Sequence, residues 1–166
     1  MRTVNVEELS PSKFLPFGFY DHMINPVGLK IGSAPIEFFR DMLQQDLGGA
    51  SIASFGVCRV EPREAIITAS EYHNFTGEGM LPLDHDIFFH VGPATPPNVA
   101  PPLDEFRVFY ATKGTLIVLR PGVWHHAPYT VNENPASCLI VLPQRAYAND
   151  CTVVELPEQD WVRIGR

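Results

Sequence analysis

Polar and apolar residues alternate in short runs along most of this chain, and prolines and glycines separate the runs. Residues 115–119 form an unbroken apolar, β-branched run that reads as a buried strand. Residues 106–110 alternate instead: Phe106, Val108 and Tyr110 share one face, Arg107 and Phe109 the other. Comparable patterns predict strands over residues 3–6, 27–31, 51–60, 65–72, 80–83, 87–91, 136–142 and 152–156. Residues 33–47 are the exception. Ser33 as a cap, Pro35 in a first turn, a stripe of Ile36, Phe39, Leu43 and Leu47, and a stop at Gly48-Gly49 predict a short helix. A strand over 36–40 would also suit the adjacent Phe38 and Phe39. About ten short strands at regular spacing imply a β-sandwich or barrel.

Composition narrows this picture. The 166 residues suit one domain with a real core. Sixteen prolines and eleven phenylalanines favour short strands and ordered loops over a helix bundle. Residues 92–102 hold five prolines, which excludes a helix or central strand there and predicts a stiff crossing loop. A net charge of −7 argues against nucleic acid or an anionic membrane as partner. A small anionic substrate remains open if an Arg or Lys is placed locally. Cys58, Cys138 and Cys151 have no metal-ligand spacing and lie in or beside apolar runs, so they read as core residues of a cytoplasmic protein. No apolar stretch reaches membrane-spanning length, and the N-terminus is not a secretory signal.

The candidate chemistry begins after the strand at 115–119. Arg120-Pro121-Gly122 reads as a tight turn that delivers Val123-Trp124-His125-His126. Earlier, Glu71 and His73 lie two apart in a predicted strand, so their side chains share a face. Glu78 follows across a glycine-containing turn. Nitrogen and oxygen donors held on rigid strands suit a divalent ion. Strict alternation would send His125 and His126 to opposite sides, with the turn spacing favouring His125 inward.

This arrangement resembles the cupin pattern of two metal-binding strands. Glu71 stands for that pattern's first His, His73 for the second, Glu78 for its Glu and His125 for its last His. The chain further resembles the ureidoglycolate lyases, a cupin-type family. The likeness runs through Phe14-x-x-Phe17-Gly18, Arg59-x-x-Pro62, Glu71-x-His73 with Pro82, and Phe106-Arg107-Val108-Phe109. It is strongest at Val123-Trp124-His125-His126 and at Asp150-Cys151-Thr152-Val153 with Leu156-Pro157-Glu158-Gln159. Two positions depart from it: Glu78 stands where Gln is common, and Leu119 where a His often precedes the Arg.

The resemblance implies a mainly β fold: a single cupin-like domain over 1–166, a double-stranded β-helix or jelly-roll barrel with one or two short helices. It implies cleavage of (S)-ureidoglycolate to glyoxylate and urea. The alternatives are a related cupin lyase or isomerase for another small hydroxy or keto acid, or a non-catalytic carboxylate-binding cupin. In this reading Glu71, His73, Glu78 and His125 hold a divalent ion (Ni, Mn, Zn or Fe). Glu78 or His126 moves the proton, and Arg107, Arg59 and Trp124 bind the substrate. A homodimer is expected, with Phe38-Phe39 and Phe88-Phe89 as its apolar surface.

Overall fold

The computed structural model describes residues 1–166. Strand β1 (Arg2–Glu8) leads through one helical turn, α1 (Pro11–Phe14), into β2 (Gly18–His22). A hairpin of β3 (Lys30–Ser33) and β4 (Ile36–Phe39) follows, then an irregular stretch and β5 (Ala53–Val60). Next come β6 (Ile66–Ile67), β7 (Ala69–Tyr72), β8 (Glu78–Pro82) and β9 (Ile87–Gly92). The proline-rich loop precedes β10 (Arg107–Ala111), β11 (Thr115–Leu119), β12 (Trp124–His125) and β13 (Tyr129–Thr130). The chain closes with β14 (Ala136–Pro143), a short α2 (Ala146–Asn149), β15 (Thr152–Glu155) and β16 (Val162–Gly165).

Two sheets form the barrel. The smaller runs β2-β11-β8-β14-β5, antiparallel throughout. The larger runs β15-β7-β12-β9-β10-β1-β16-β6, with β13 also on β9. The sheets face each other across a core in which Met80, Ile117, Leu119 and Ile140 meet Ile87, Phe89, Val91 and Phe109. Phe14 plugs this core, its ring 5.3 Å from that of Phe109 and 6.0 Å from that of Phe89. Strand β1 is the parallel link of the larger sheet, pairing with both β10 and β16.

The larger sheet curls, because β6 and β7 are one run broken only at Thr68. Its other face therefore encloses a second cluster: Ile67, Tyr72, Phe88, Phe106, Val108, Trp124, Tyr129, Leu156, Val162 and Ile164. The sheet is thus buried on both faces, which explains why residues 87–92 are buried throughout. This is the jelly-roll barrel with two short helices that the resemblance implies.

Three expectations need correction. Residues 33–47 hold no helix. Residues 30–39 make the β3–β4 hairpin, with Ile31 opposite Phe38 and a Lys30–Glu37 ion pair on the other face. Pro35 lies in the turn between the strands and not in a first helical turn. Residues 40–52 are irregular and held by side chains: the Gln45 amide donates to the carbonyls of Gly77 and Val141. Second, the strand expected at 80–83 starts two residues earlier, at Glu78, so the direction of Glu78 is set by strand pairing with Leu119. Third, Phe88 and Phe89 are buried, one in each core, and supply no surface. Exposed apolar area lies instead at Ile31, Ile36, Phe38, Phe55 and Val57. No helix is long and apolar enough to cross a membrane.

Phe109 is fully buried where the rings of Phe14, Phe17 and Phe89 converge. Phe109→Ala should lower unfolding free energy by about 3–5 kcal/mol in a denaturant titration. A loss below about 1 kcal/mol would mean that the rings do not pack as described.

Candidate metal and substrate site

Strands β7, β8 and β12 converge at one end of the barrel interior. Alternation on β7 turns Tyr72 to the second core and Glu71 to the other side. His73, just past the strand, is buried with its ring 5.4 Å from that of His125. On β12, Trp124 goes to the second core and His125 inward, directly opposite Glu71 in register. The turn before β12 is fixed at Gly122, which has φ +80° and donates its N–H to the carbonyl of His73 at 2.6 Å. A side chain there would be strained by the backbone and would press on Ala94.

Hydrogen bonding sets the direction of both imidazoles. His73 Nδ1 lies 2.6 Å from the Asp150 carbonyl, and His125 Nδ1 lies 2.8 Å from the Val123 carbonyl. A carbonyl oxygen only accepts, so each Nδ1 carries the proton and donates. Each Nε2 then faces the same carboxylate oxygen, Glu78 Oε2, at 3.1 Å from His73 and 3.3 Å from His125. Two neutral Nε2 atoms and an ionised carboxylate are all acceptors. A positive charge has to sit among them, either a proton or a metal ion.

The donors fit an ion. Ligating atoms of Glu71, His73 and His125 all lie within 4.8 Å of one another. Both histidines have the Nδ1–H···O=C bond that orients an imidazole towards a metal. With a proton as the cation, the charges are strongly displaced. Burial opposes ionisation of Glu78, yet the charges and hydrogen bonds of His125 and His73 hold it at about 2. Burial likewise opposes protonation of His125, but Glu78 wins and lifts it to about 9.

A cavity of about 220 Å³ opens over this cluster, lined by Glu71, Glu78, His126, Cys58 and Tyr147 among others. That is below the roughly 300–1,000 Å³ of drug-sized sites and suits a small ligand. The Tyr147 ring stands edge-on to His73, 6.1 Å away, and is mostly exposed.

A sequence model of the ureidoglycolate lyase family matches residues 1–163. The chain belongs to the ureidoglycolate lyase family. A ureidoglycolate lyase of Burkholderia mallei is 26% identical over 171 residues, covering 98% of this chain and 94% of its own. One from Azotobacter vinelandii is 26% identical over 129 residues, covering 76% of each chain. Among solved structures, a dTDP sugar isomerase from Desulfovibrio desulfuricans G20 superposes with a TM-score of 0.53 at 15% identity, covering 87% and 89% of the two chains. That likeness shows the shared cupin fold. The protein therefore combines a cupin-type fold with membership of a lyase family.

Within this family member, the structure brings Glu71, His73, Glu78 and His125 together. His126 joins them at the cavity wall, half-buried, although alternation predicted that only one histidine would face the pocket. Strand β12 ends at His125, so the period of two no longer governs the next residue. Trp124 does not reach the pocket: it is fully buried against Tyr72 and donates from Nε1 to Thr95 Oγ1 at 3.0 Å. Arg107 is committed elsewhere, bonded by two nitrogens to Glu7, which it holds at about 2 against the pull of burial. Arg59 pairs with Glu61 along an exposed cleft that also borders His126.

Residues not foreseen as site members are Tyr147, Cys58 and Cys151. Cys151 lies 3.5 Å from Glu71 Oε2, and burial pushes its thiol up to about 12. A protonated thiol there is no nucleophile. Of the three cysteines expected in the core, Cys138 is buried, while Cys58 and Cys151 are half-buried.

Metal binding must displace the proton on His125, because its pKa of about 9 lies above the unfolded value. The charged pair with Glu78 is therefore complete at pH 7 and is lost as pH rises through about 9. Titrating metal-free protein with Zn²⁺ or Mn²⁺ at pH 7.5 should release about one proton per ion, read from the buffer dependence of the binding heat. Apparent affinity should rise with pH and level off above about 9. Binding without proton release would remove His125 from the ligand set.

Proposed function

We propose that this protein cleaves (S)-ureidoglycolate to glyoxylate and urea, as a carbon–nitrogen lyase of the amidine-lyase type. The supporting observation is His126 on the wall of a small cavity that Glu71 and Glu78 also line, the two carboxylates grouped with the buried His73 and His125. The reaction needs a proton taken from the carbinol hydroxyl and one given to the departing urea nitrogen. Both groups sit on one carbon, so a single imidazole can serve them in turn. His126 takes the hydroxyl proton, the carbon–oxygen double bond forms, the carbon–nitrogen bond breaks, and His126 returns the proton to nitrogen.

Glu78 is less suited to that task. Held at about 2 and engaged by two imidazoles, it is a weak base, and it acts in orienting the cluster. A divalent ion held by Glu71, His73 and His125 would supply positive charge that lowers the pKa of a nearby hydroxyl. Its identity is open among Ni, Mn, Zn and Fe.

A second enzyme reading has its own support. The two departures from the family pattern, Glu78 and Leu119, are direct register partners on β8 and β11 and are both buried. Changed together, they alter one wall of the interior and favour another small hydroxy or keto acid. Pairing of two copies also stays in the proposal, with its apolar surface at Ile31, Ile36, Phe38, Phe55 and Val57. A monomer in sedimentation velocity would overturn that part.

Purified protein supplied with metal should release glyoxylate from ureidoglycolate well above the spontaneous rate. His126→Ala should lower kcat by about 10²–10⁴-fold while leaving metal binding intact. Absence of glyoxylate release would sink the lyase assignment. A non-catalytic binding cupin would instead bind the substrate without turnover and lose only affinity in His125→Ala.

A further inference from the structure

A substrate carboxylate turned towards this pocket meets Glu71 and Glu78, two carboxylates of its own sign that already share the positive charge held in the cluster. A free cation at the wall or mouth would hold it without that competition. The arginines near the pocket are mostly engaged. Arg107 is bonded to Glu7 and the Lys13 carbonyl, and Arg59 to Glu61. Arg63 donates to the carbonyls of Ala127 and Pro128 and lies over the Tyr129 ring at 4.1 Å, so it braces the turn after His126.

Arg145 differs from all of these. It precedes α2 at the end of β14, in a left-handed backbone conformation with φ +60°. Its guanidinium makes no hydrogen bond or ion pair within the chain. It lines a cavity of about 350 Å³ whose wall includes Cys58, Ile140 and Tyr147. Those three residues also line the cavity over Glu71, Glu78 and His126, so the two spaces adjoin along a shared wall.

We infer that Arg145 is the carboxylate anchor: it binds the substrate's carboxylate at the pocket mouth and turns the rest of the molecule inward past Tyr147 to His126. The inference rests on the proposed lyase reading for the identity of the substrate, but the subsite is defined by chemistry alone, as a receptor for a small hydroxy-carboxylate. A guanidinium with all its donors free pairs a carboxylate through two parallel N–H···O bonds, which fixes orientation as well as position.

The test compares Arg145→Ala and Arg145→Lys with the wild type, using the metal-loaded protein. For ureidoglycolate, Arg145→Ala should raise KM about 10- to 100-fold with kcat nearly preserved, and Arg145→Lys should recover part of the loss. A second readout needs no turnover: binding of glycolate against its uncharged amide, glycolamide, followed by NMR titration. Wild type should prefer glycolate, and Arg145→Ala should lose that preference while binding glycolamide as before. A purely structural role would weaken both probes alike and would overturn the inference. So would an unchanged KM and preference in Arg145→Ala, or the same losses appearing in Arg59→Ala or Arg63→Ala instead. If wild type releases no glyoxylate yet its glycolate preference vanishes in Arg145→Ala, the lyase reading falls and the subsite stands.

Discussion

Two hydrogen bonds from imidazole to backbone carbonyl govern this site. By donating Nδ1–H to the carbonyls of Asp150 and Val123, His73 and His125 are left with Nε2 lone pairs aimed at a carboxylate that also only accepts. Burial removes the water that would otherwise separate them. The cluster therefore requires a positive charge, supplied by a proton on His125 or by an ion. Everything that places these three strands serves that requirement. The Gly122 N–H on the His73 carbonyl joins the turn before β12 to the end of β7, so the two histidines are fixed to each other through the backbone as well.

Why the site is rigid is explained by the second core. A barrel with only one core would leave the outer faces of β7 and β12 in water. Here the larger sheet curls around its own outer face and buries Tyr72 and Trp124, whose rings meet at 4.5 Å. Those two residues alternate with the inward donors on the same strands. Burial of large aromatic rings on one side thus sets the orientation of Glu71 and His125 on the other, at strand ends that are too short to hold it by ladder bonds alone. The aromatic in the Val-Trp-His-His segment works as an anchor of the strand and not as a surface for the substrate.

Most of the arginines around the pocket are paired within the chain. Glu7 neutralises Arg107, and Glu61 occupies Arg59. Arg145 is left at the mouth, next to the exposed Tyr147. The proposed reaction would have use for such a separation, with the cation holding the substrate's carboxylate and His126 moving the proton.

The sequence by itself determined the β class, the strands around residues 87–91, 106–110, 115–119 and 136–142, and the family, because local period and specific motifs are short-range signals. It also paired Glu71 with His73 and pointed His125 inward, since alternation over two or three residues is local geometry. Tertiary structure decided the rest. Residues 33–47 carry a pattern that suits a helix, but Ile31 and Phe38 pair across a hairpin, a contact between residues that the helical stripe never joins. Arg107 and Glu7 are a hundred residues apart, and nothing in either segment announces their bond. Arg145 and Tyr147 come to the pocket from a one-turn helix near the end of the chain, and only the closing of the barrel brings that turn over His73. Which arginine is free, and which ring faces which core, are properties of contacts between distant segments, and those exist only once the chain has folded.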